Sequence, residues 1–269
     1  MAFSMDSSRV TRFFDDLRIP DLIVRHRGAT LAALGLAVVA PFAIRDYQTF
    51  LSYGPGGLPH NVVGWLIANV MRLVAREQTS TLPYSDKSLY LSSRPGFLPP
   101  DFPPHRSSPR PQFGAHPVPQ RQVTQLPDPE TREKLIARFQ ALGEAAQAKG
   151  LVDIKQSLYE RRHAALFVSS TRAWHPVAQR SRGEIAHVHA GLDGSIHVTL
   201  HPGDCKKVIE AAWGQRHGLA GVGSRKIPGS LPVNYVLVYA PRDEAELDIV
   251  LAVVRASVAF MAGLEGPLE

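Results

Sequence analysis

Glu184-Ile185-Ala186-His187-Val188-His189-Ala190-Gly191-Leu192-Asp193-Gly194-Ser195-Ile196-His197-Val198-Thr199-Leu200-His201 is the stretch whose reading decides the fold. Apolar and polar residues alternate on either side of a Gly-Leu-Asp-Gly turn, the period of a half-buried strand, and this predicts a hairpin over 184–190 and 195–201. The length of the connection sets the parity. A two-residue Asp-Gly turn would pair His189 with Val198 and send the histidines to opposite faces, whereas a three-residue Leu192-Asp193-Gly194 loop pairs His189 with His197. Hydrophobicity favours the second register, because Ala186, Val188, Ala190, Ile196, Val198 and Leu200 then share the core face. His187, His189, His197, Thr199 and His201 gather on the other. Imidazoles titrate near neutral pH, so such a face can take protons, stabilise an oxyanion or bind a metal. The HxH spacing plus a third histidine is ligand-like, yet no carboxylate partner is evident. A solvated face of tolerated polar residues is the bland alternative.

Around the hairpin the pattern predicts a helix from Pro129 to about Lys149, with Leu135, Ile136, Phe139 and Leu142 as its apolar stripe and Gly150 as its stop. A strand is expected over 164–169, a helix capped by Asp204 running to Trp213, and a strand over 233–239. Asp243 with Glu246 reads as a capping box opening a helix to Met261. Strands and helices without regular alternation predict an α+β domain over 130–269, a small antiparallel or mixed sheet packed with helices. Gln215, Arg216 and His217 follow a helix stop at Gly214 and are expected in a loop. Tyr239 to Arg242 lies where a strand turns into the last helix, a common place for a substrate-facing arginine.

The N-terminal half reads differently. After a polar tail over 1–27, residues 28–44 carry no charge and are flanked by Arg25, Arg27 and Arg45. Seventeen such residues reach the short end of what spans a ~30 Å hydrocarbon core, so a single-pass anchor is expected, with a buried core helix as the alternative. The segment 45–81 contains an amphipathic stretch from Val62 to Ala75 that suits either a membrane interface or packing on the domain. Prolines crowd 82–129, remove backbone donors and rule out regular helix, leaving an extended linker or a strap over the domain.

The formal net charge of +6 comes from arginines and lysines spread along the chain, with no basic run of the kind that tracks phosphates, so no nucleic acid is expected. Cys205 is the only cysteine, which excludes an intrachain disulfide and a CxxC site.

Seven collinear blocks resemble the fungal luciferase family: Arg45 to Leu51, Arg76-Glu77-Gln78, Gln120-Arg121-Gln122 with Thr124-Gln125-Leu126, Glu184 to His189, Trp213 to His217, Leu219-Ala220-Gly221, and Tyr239 to Arg242. The chain departs from the family pattern at Ala212, Gly218 and Ala190, where glycine, proline and an acidic residue are usual, and these departures bear on light emission more than on the fold. The resemblance implies an oxygenase with O2 as co-substrate and no flavin, nucleotide or metal. It further implies that 3-hydroxyhispidin or a related α-pyrone is oxygenated and decarboxylated, with or without light. The alternatives are a non-luminous member acting on another phenolic metabolite and a non-catalytic tethered module. The expected catalytic residues are His187, His189, His197 and His217, and the expected substrate-binding residues are Glu184, Trp213, Gln215, Arg216, Tyr239 and Arg242. The expected location is a membrane of the endoplasmic reticulum.

Overall fold

In the computed structural model residues 25–223 and 230–268 are described. The polar tail expected over 1–27 therefore falls almost wholly outside them. Two units are distinguished, one ending at Phe50 and a compact one from Leu51 onward, so the compact unit is far larger than 130–269.

Helix α1, Arg27–Ser52, is the one helix among the described residues long and apolar enough to cross a membrane. Leu31, Leu34, Leu36, Val38 and Phe42 are all exposed on it, which disfavours the buried-core alternative.

The compact unit is built on a six-stranded sheet of β1 (Val152–Gln156), β2 (Ala164–Val168), β3 (Glu184–Val188), β4 (Ile196–Thr199), β5 (Gly214–Arg216) and β6 (Tyr235–Val238). Its order is β1-β2-β3-β4-β6-β5, and every pairing is antiparallel. Helices α3 (Pro129–Ala148) and α6 (Glu244–Met261) pack on one face, α3 against β1 and α6 against β3 and β4. That face carries Ala186, Val188, Ile196 and Val198 and merges with Leu135, Phe139, Leu247, Val250 and Val254 in the core. Asp128 caps α3 by accepting from Thr131 N–H, and Asp243 caps α6 by accepting from Glu246 N–H. The second half of the expected capping box does not form, because Glu246 turns to the backbone and guanidinium of Arg242.

The hairpin has the expected parity and a different register. His187 pairs with His197, and His189 N–H donates to Ser195 C=O, so five residues (190–194) make the connection where three were expected. A shift of two residues leaves every side chain on its original face. The longer loop closes on Asp193, whose carboxylate accepts from Ser195 N–H and Oγ, while Gly191 and Gly194 take positive φ.

Helix α5, Pro202–Glu210, is shorter than expected and is capped by His201. Asp204 is in its first turn, accepting from Phe97 and Leu98 N–H at 2.7 and 3.1 Å. Ala212 adopts φ 62°, ending the helix, and 214–216 form the edge strand β5 where a loop was expected. Strand β1 and the short α4 (Pro176–Arg180) were not anticipated; five residues with two charges give too weak a pattern to identify β1.

Residues 53–127 are a strap and belong to the compact unit. They contain α2, Val62–Arg72, and otherwise little regular structure. Proline-rich backbone cannot satisfy its own carbonyls, and donors from the sheet side do so instead: Trp213 Nε1–H to Pro104 C=O, Lys207 Nζ to Leu98 and Pro99 C=O, and Arg216 to Glu77 and Ser80 C=O. The strap crosses the sheet face opposite the helices, where the histidines point.

Candidate active site

Beneath the strap is a cavity of about 210 Å3 lined by His187, His189, His197 and His217. Its other walls come from the strap (Gly57, Val118, Arg121), α2 (Met71), the β1–β2 connection (Tyr159, Glu160) and β6 (Tyr235). The four histidines are buried. Ring centroids lie 5.5 Å apart for His187 and His189, 5.2 Å for His187 and His197, 4.9 Å for His189 and His197, and 5.4 Å for His197 and His217. The hairpin supplies the first three; His217, just past β5, arrives because β5 pairs with β6 beside β4.

Each histidine is fixed by its own partner, and the partner sets the tautomer. His187 Nδ1 is 2.7 Å from Glu184 Oε1, which also accepts from Ser157 Oγ, while Glu184 Oε2 accepts from Leu158 N–H. His189 Nδ1 is 3.1 Å from Asp193 Oδ1, and Asp193 Oδ2 accepts from Gln122 N–H on the strap. Two carboxylate–imidazole pairs result, each holding its proton on Nδ1 and leaving the Nε2 lone pair free. His217 is opposite in sense. Its Nδ1 accepts from Leu219 N–H, so Nε2 carries the proton and is a donor. His197 Nδ1 meets the Tyr235 hydroxyl at 3.2 Å, and its Nε2 has no hydrogen-bond partner.

Burial, first of all, favours the neutral form of His189, His197 and His217. Burial, then the Arg121 charge, lowers His189 below the usual imidazole range despite Asp193. Burial and the neighbouring imidazoles hold His197 well below it and take His217 down to about 3. Burial pushes Asp193 up, but His189 and Arg121 more than offset this and leave it below the usual carboxylate range. Tyr235 is pushed well up by burial and nearby carboxylates and keeps its proton. Arg121 is paired with Glu160 at 2.9 Å with both side chains buried, and Glu160 Oε2 is 3.9 Å from His189 Nε2.

The four histidines, Glu184, Asp193 and Tyr235 lie in a stretch that matches a family. The Luciferase domain model covers residues 182–257. The luciferase of Armillaria gallica is 35% identical over 93% of this chain and 96% of its own length, and that of Neonothopanus nambi 34% over 85% and 84%. This chain belongs to the fungal luciferase family. No solved structure matches it.

Several expected substrate-binding residues of this luciferase-family chain stand away from the cavity and hold the strap. Trp213 is buried in the core and bonds Pro104. Arg216 grips the 77–80 backbone, and Gln215 Nε2 donates to Gln78 Oε1 at 2.7 Å. Tyr239 hydroxyl donates to Gln215 Oε1 and receives Arg110. Arg242 is paired with Glu246, which also faces Arg106 at 3.6 Å. Glu184 reaches the site only through His187. These assignments are corrected to positioning. Trp213, Gln215, Arg216 and Tyr239 meet the strap for a common reason: its carbonyls and amides need partners, and the β5–β6 edge is where they find them.

Sequence reasoning missed Asp193, Glu160, Arg121, Ser195 and Tyr235. Asp193 reads as a turn former, and Arg121 lies within one of the collinear blocks without any local pattern to give it a role. His201 points elsewhere, capping α5 among Tyr90, Phe97 and Phe260. Cys205 is a buried thiol, raised well above its ordinary range by burial and neighbouring Asp204, with Sγ 3.6 Å from Asn234 C=O.

Proposed function

We propose that the protein is a membrane-tethered, luciferase-like oxygenase that takes 3-hydroxyhispidin or a closely related α-pyrone and uses O2 as co-substrate without flavin or nucleotide. The observation that supports this reading is the pair of carboxylate-backed imidazoles with free Nε2 atoms beside a cavity. His187 or His189 Nε2 removes the proton of the enolic hydroxyl; its Glu184 or Asp193 partner stabilises the imidazolium that forms. The enolate, now electron-rich, combines with O2, and the peroxidic adduct closes on the lactone carbonyl and expels CO2. His217 Nε2–H faces the negative charge that develops. At about 210 Å3 the cavity is smaller than the ~300–1000 Å3 typical of ligand pockets, which favours a small flat molecule. The α1 helix holds the enzyme in a membrane, which we assign to the endoplasmic reticulum.

The test is purified full-length protein mixed with 3-hydroxyhispidin in air, with oxygen uptake, CO2 release and light recorded together. Uptake with light supports the full reading. Uptake in the dark identifies a non-luminous member, and no uptake with any of a panel of pyrones leaves a non-catalytic module. His187→Asn and His189→Asn keep a donor toward the carboxylate and remove the base, and at least one is expected to lower turnover by about 10²–10⁴-fold. Near-normal rates in both would remove the assignment.

A further inference from the structure

His187, His189 and His197 each offer one ligand nitrogen, and these three atoms all lie within 4.8 Å of one another in a buried site. Among the described residues no other group of histidine, cysteine, aspartate or glutamate side chains does so. The sequence arguments against a metal here were the lack of a carboxylate partner and a resemblance that implies none, and the fold removes the first by supplying two. Glu184 on His187 Nδ1 and Asp193 on His189 Nδ1 reproduce the outer-shell arrangement that orients metal-binding imidazoles and raises their basicity. The third ring adds an independent sign. His197 Nε2 is buried with no hydrogen-bond partner, a state that ordinarily costs about 1–3 kcal/mol and that a coordinate bond would relieve.

We propose that His187, His189 and His197 bind one divalent transition-metal ion through their Nε2 atoms, with the remaining coordination positions open to the cavity. Imidazole donors suit zinc, iron, nickel or copper, and three protein ligands with an open position is the arrangement of catalytic rather than structural sites. Metal–nitrogen bonds of about 2.0–2.1 Å set three donors roughly 3.3 Å apart, so the rings must close by about 1 Å. Small turns about the Cα–Cβ bonds would provide this, because Nε2 lies far from that axis, with the flexible Glu184 and Asp193 side chains following their rings. The charge balances locally. Glu184 and Asp193 face a dication, while Arg121 in the cavity wall is already paired with Glu160. With an ion bound, His187 and His189 Nε2 would serve as ligands and no longer as bases, so on the function proposed above the ion would take over from them in acidifying the enolic hydroxyl of a 3-hydroxy-2-pyrone held at its open positions. Ion binding itself does not depend on that reaction.

The experiment uses full-length protein carrying no histidine tag, in detergent, freed of metal with a chelator and then titrated with Co2+. One bound ion per chain and visible d–d bands are expected, together with a Tm that rises with ion concentration, as binding to the folded state requires. His197→Gln, which keeps a polar side chain of similar size, is expected to weaken Co2+ binding at least 100-fold. Asp193→Asn should weaken it by about 10–100-fold. Folded wild-type protein that takes up no stoichiometric ion, shows no cobalt bands and gains no Tm overturns the site, whatever its turnover. Binding abolished by His197→Gln but with no pyrone turnover keeps the site and removes the oxygenase reading instead.

Discussion

Asp193 does more than turn the chain. It closes the β3–β4 loop, docks the strap through Gln122 N–H and holds His189 in one tautomer. Asp193→Asn keeps the shape and can present a donor where an acceptor is needed, so turnover should fall by about 10²–10⁴-fold with KM nearly unchanged, as steady-state kinetics would show. The base must be unprotonated to act. Because burial and Arg121 lower His189, the acid limb of kcat/KM should lie below the ordinary imidazole range near 6.5. Arg121 has the larger influence on His189, downward, and Glu160 a smaller one upward. Removing both in Arg121→Met with Glu160→Gln should therefore move the acid limb to higher pH; a limb that stays put or moves down would show that His189 is not the group titrating. Gly56 belongs to the same pair, since a Cβ there would run into the Arg121 guanidinium and lie 2.9 Å from Glu160 Oε2. Gly56→Ala is expected to cost about 1–3 kcal/mol, read by thermal or denaturant unfolding, through loosening of a buried ion pair.

The elements divide the labour by face. On the sheet, the apolar face of β3 and β4 holds α6 and the polar face holds the cavity, so the hairpin that builds the core also builds the site. Parity alone decides this, and a shift of two residues in register was harmless for that reason. Helix α2 has a division of its own. Gly64 and Ala68 are buried, and Met71 lines the cavity, whereas Val62, Val63, Leu66, Val70, Leu73 and Val74 are exposed as one apolar stripe. Nine residues separate α2 from the end of α1, a reach of at most about 30 Å. The stripe is therefore expected to lie in the lipid interface beside the cavity wall. In full-length protein reconstituted with brominated lipids, Trp65 fluorescence should be quenched, and a double variant Leu66→Glu with Val70→Glu should lose that quenching while keeping its circular dichroism. Equal quenching in both proteins would count against an interfacial α2.

For the whole molecule, acid is the expected weak point. His189, His197 and His217 in the cavity, His201 at the start of α5 and His175 before α4 all have folded-state values lowered chiefly by burial, to about 4 for His201. The unfolded chain therefore binds more protons than the folded one below about 6.5, and stability present above that pH is lost as pH falls through the lowered values. Asp204, pushed up to about 6 by burial, works in the opposite direction but is a single group. Tm should fall by about 5 °C or more between pH 7 and pH 4.5, as differential scanning fluorimetry would show; a flat profile would mean that the histidines protonate without leaving the fold.

The sequence by itself determined the α+β class, the position of the membrane-length helix, the hairpin with its histidines on one face, and the family. All of these rest on local periodicity or on collinear motifs, which need no knowledge of what packs where. Only the tertiary structure decided that the proline-rich segment is part of the compact unit, that Asp193 and Glu184 serve the histidines, and that Trp213, Arg216 and Tyr239 hold the strap. The strap's place depends on contacts between residues dozens of positions apart, Arg121 and Glu160 being 39 apart and Gln122 and Asp193 71, whereas the carboxylate–histidine pairs, three and four apart, depend on the loop length and turn that strand pairing fixes. A polar side chain looks the same in sequence whether it faces a substrate or a proline carbonyl, and the partner it meets is chosen only when the chain closes on itself.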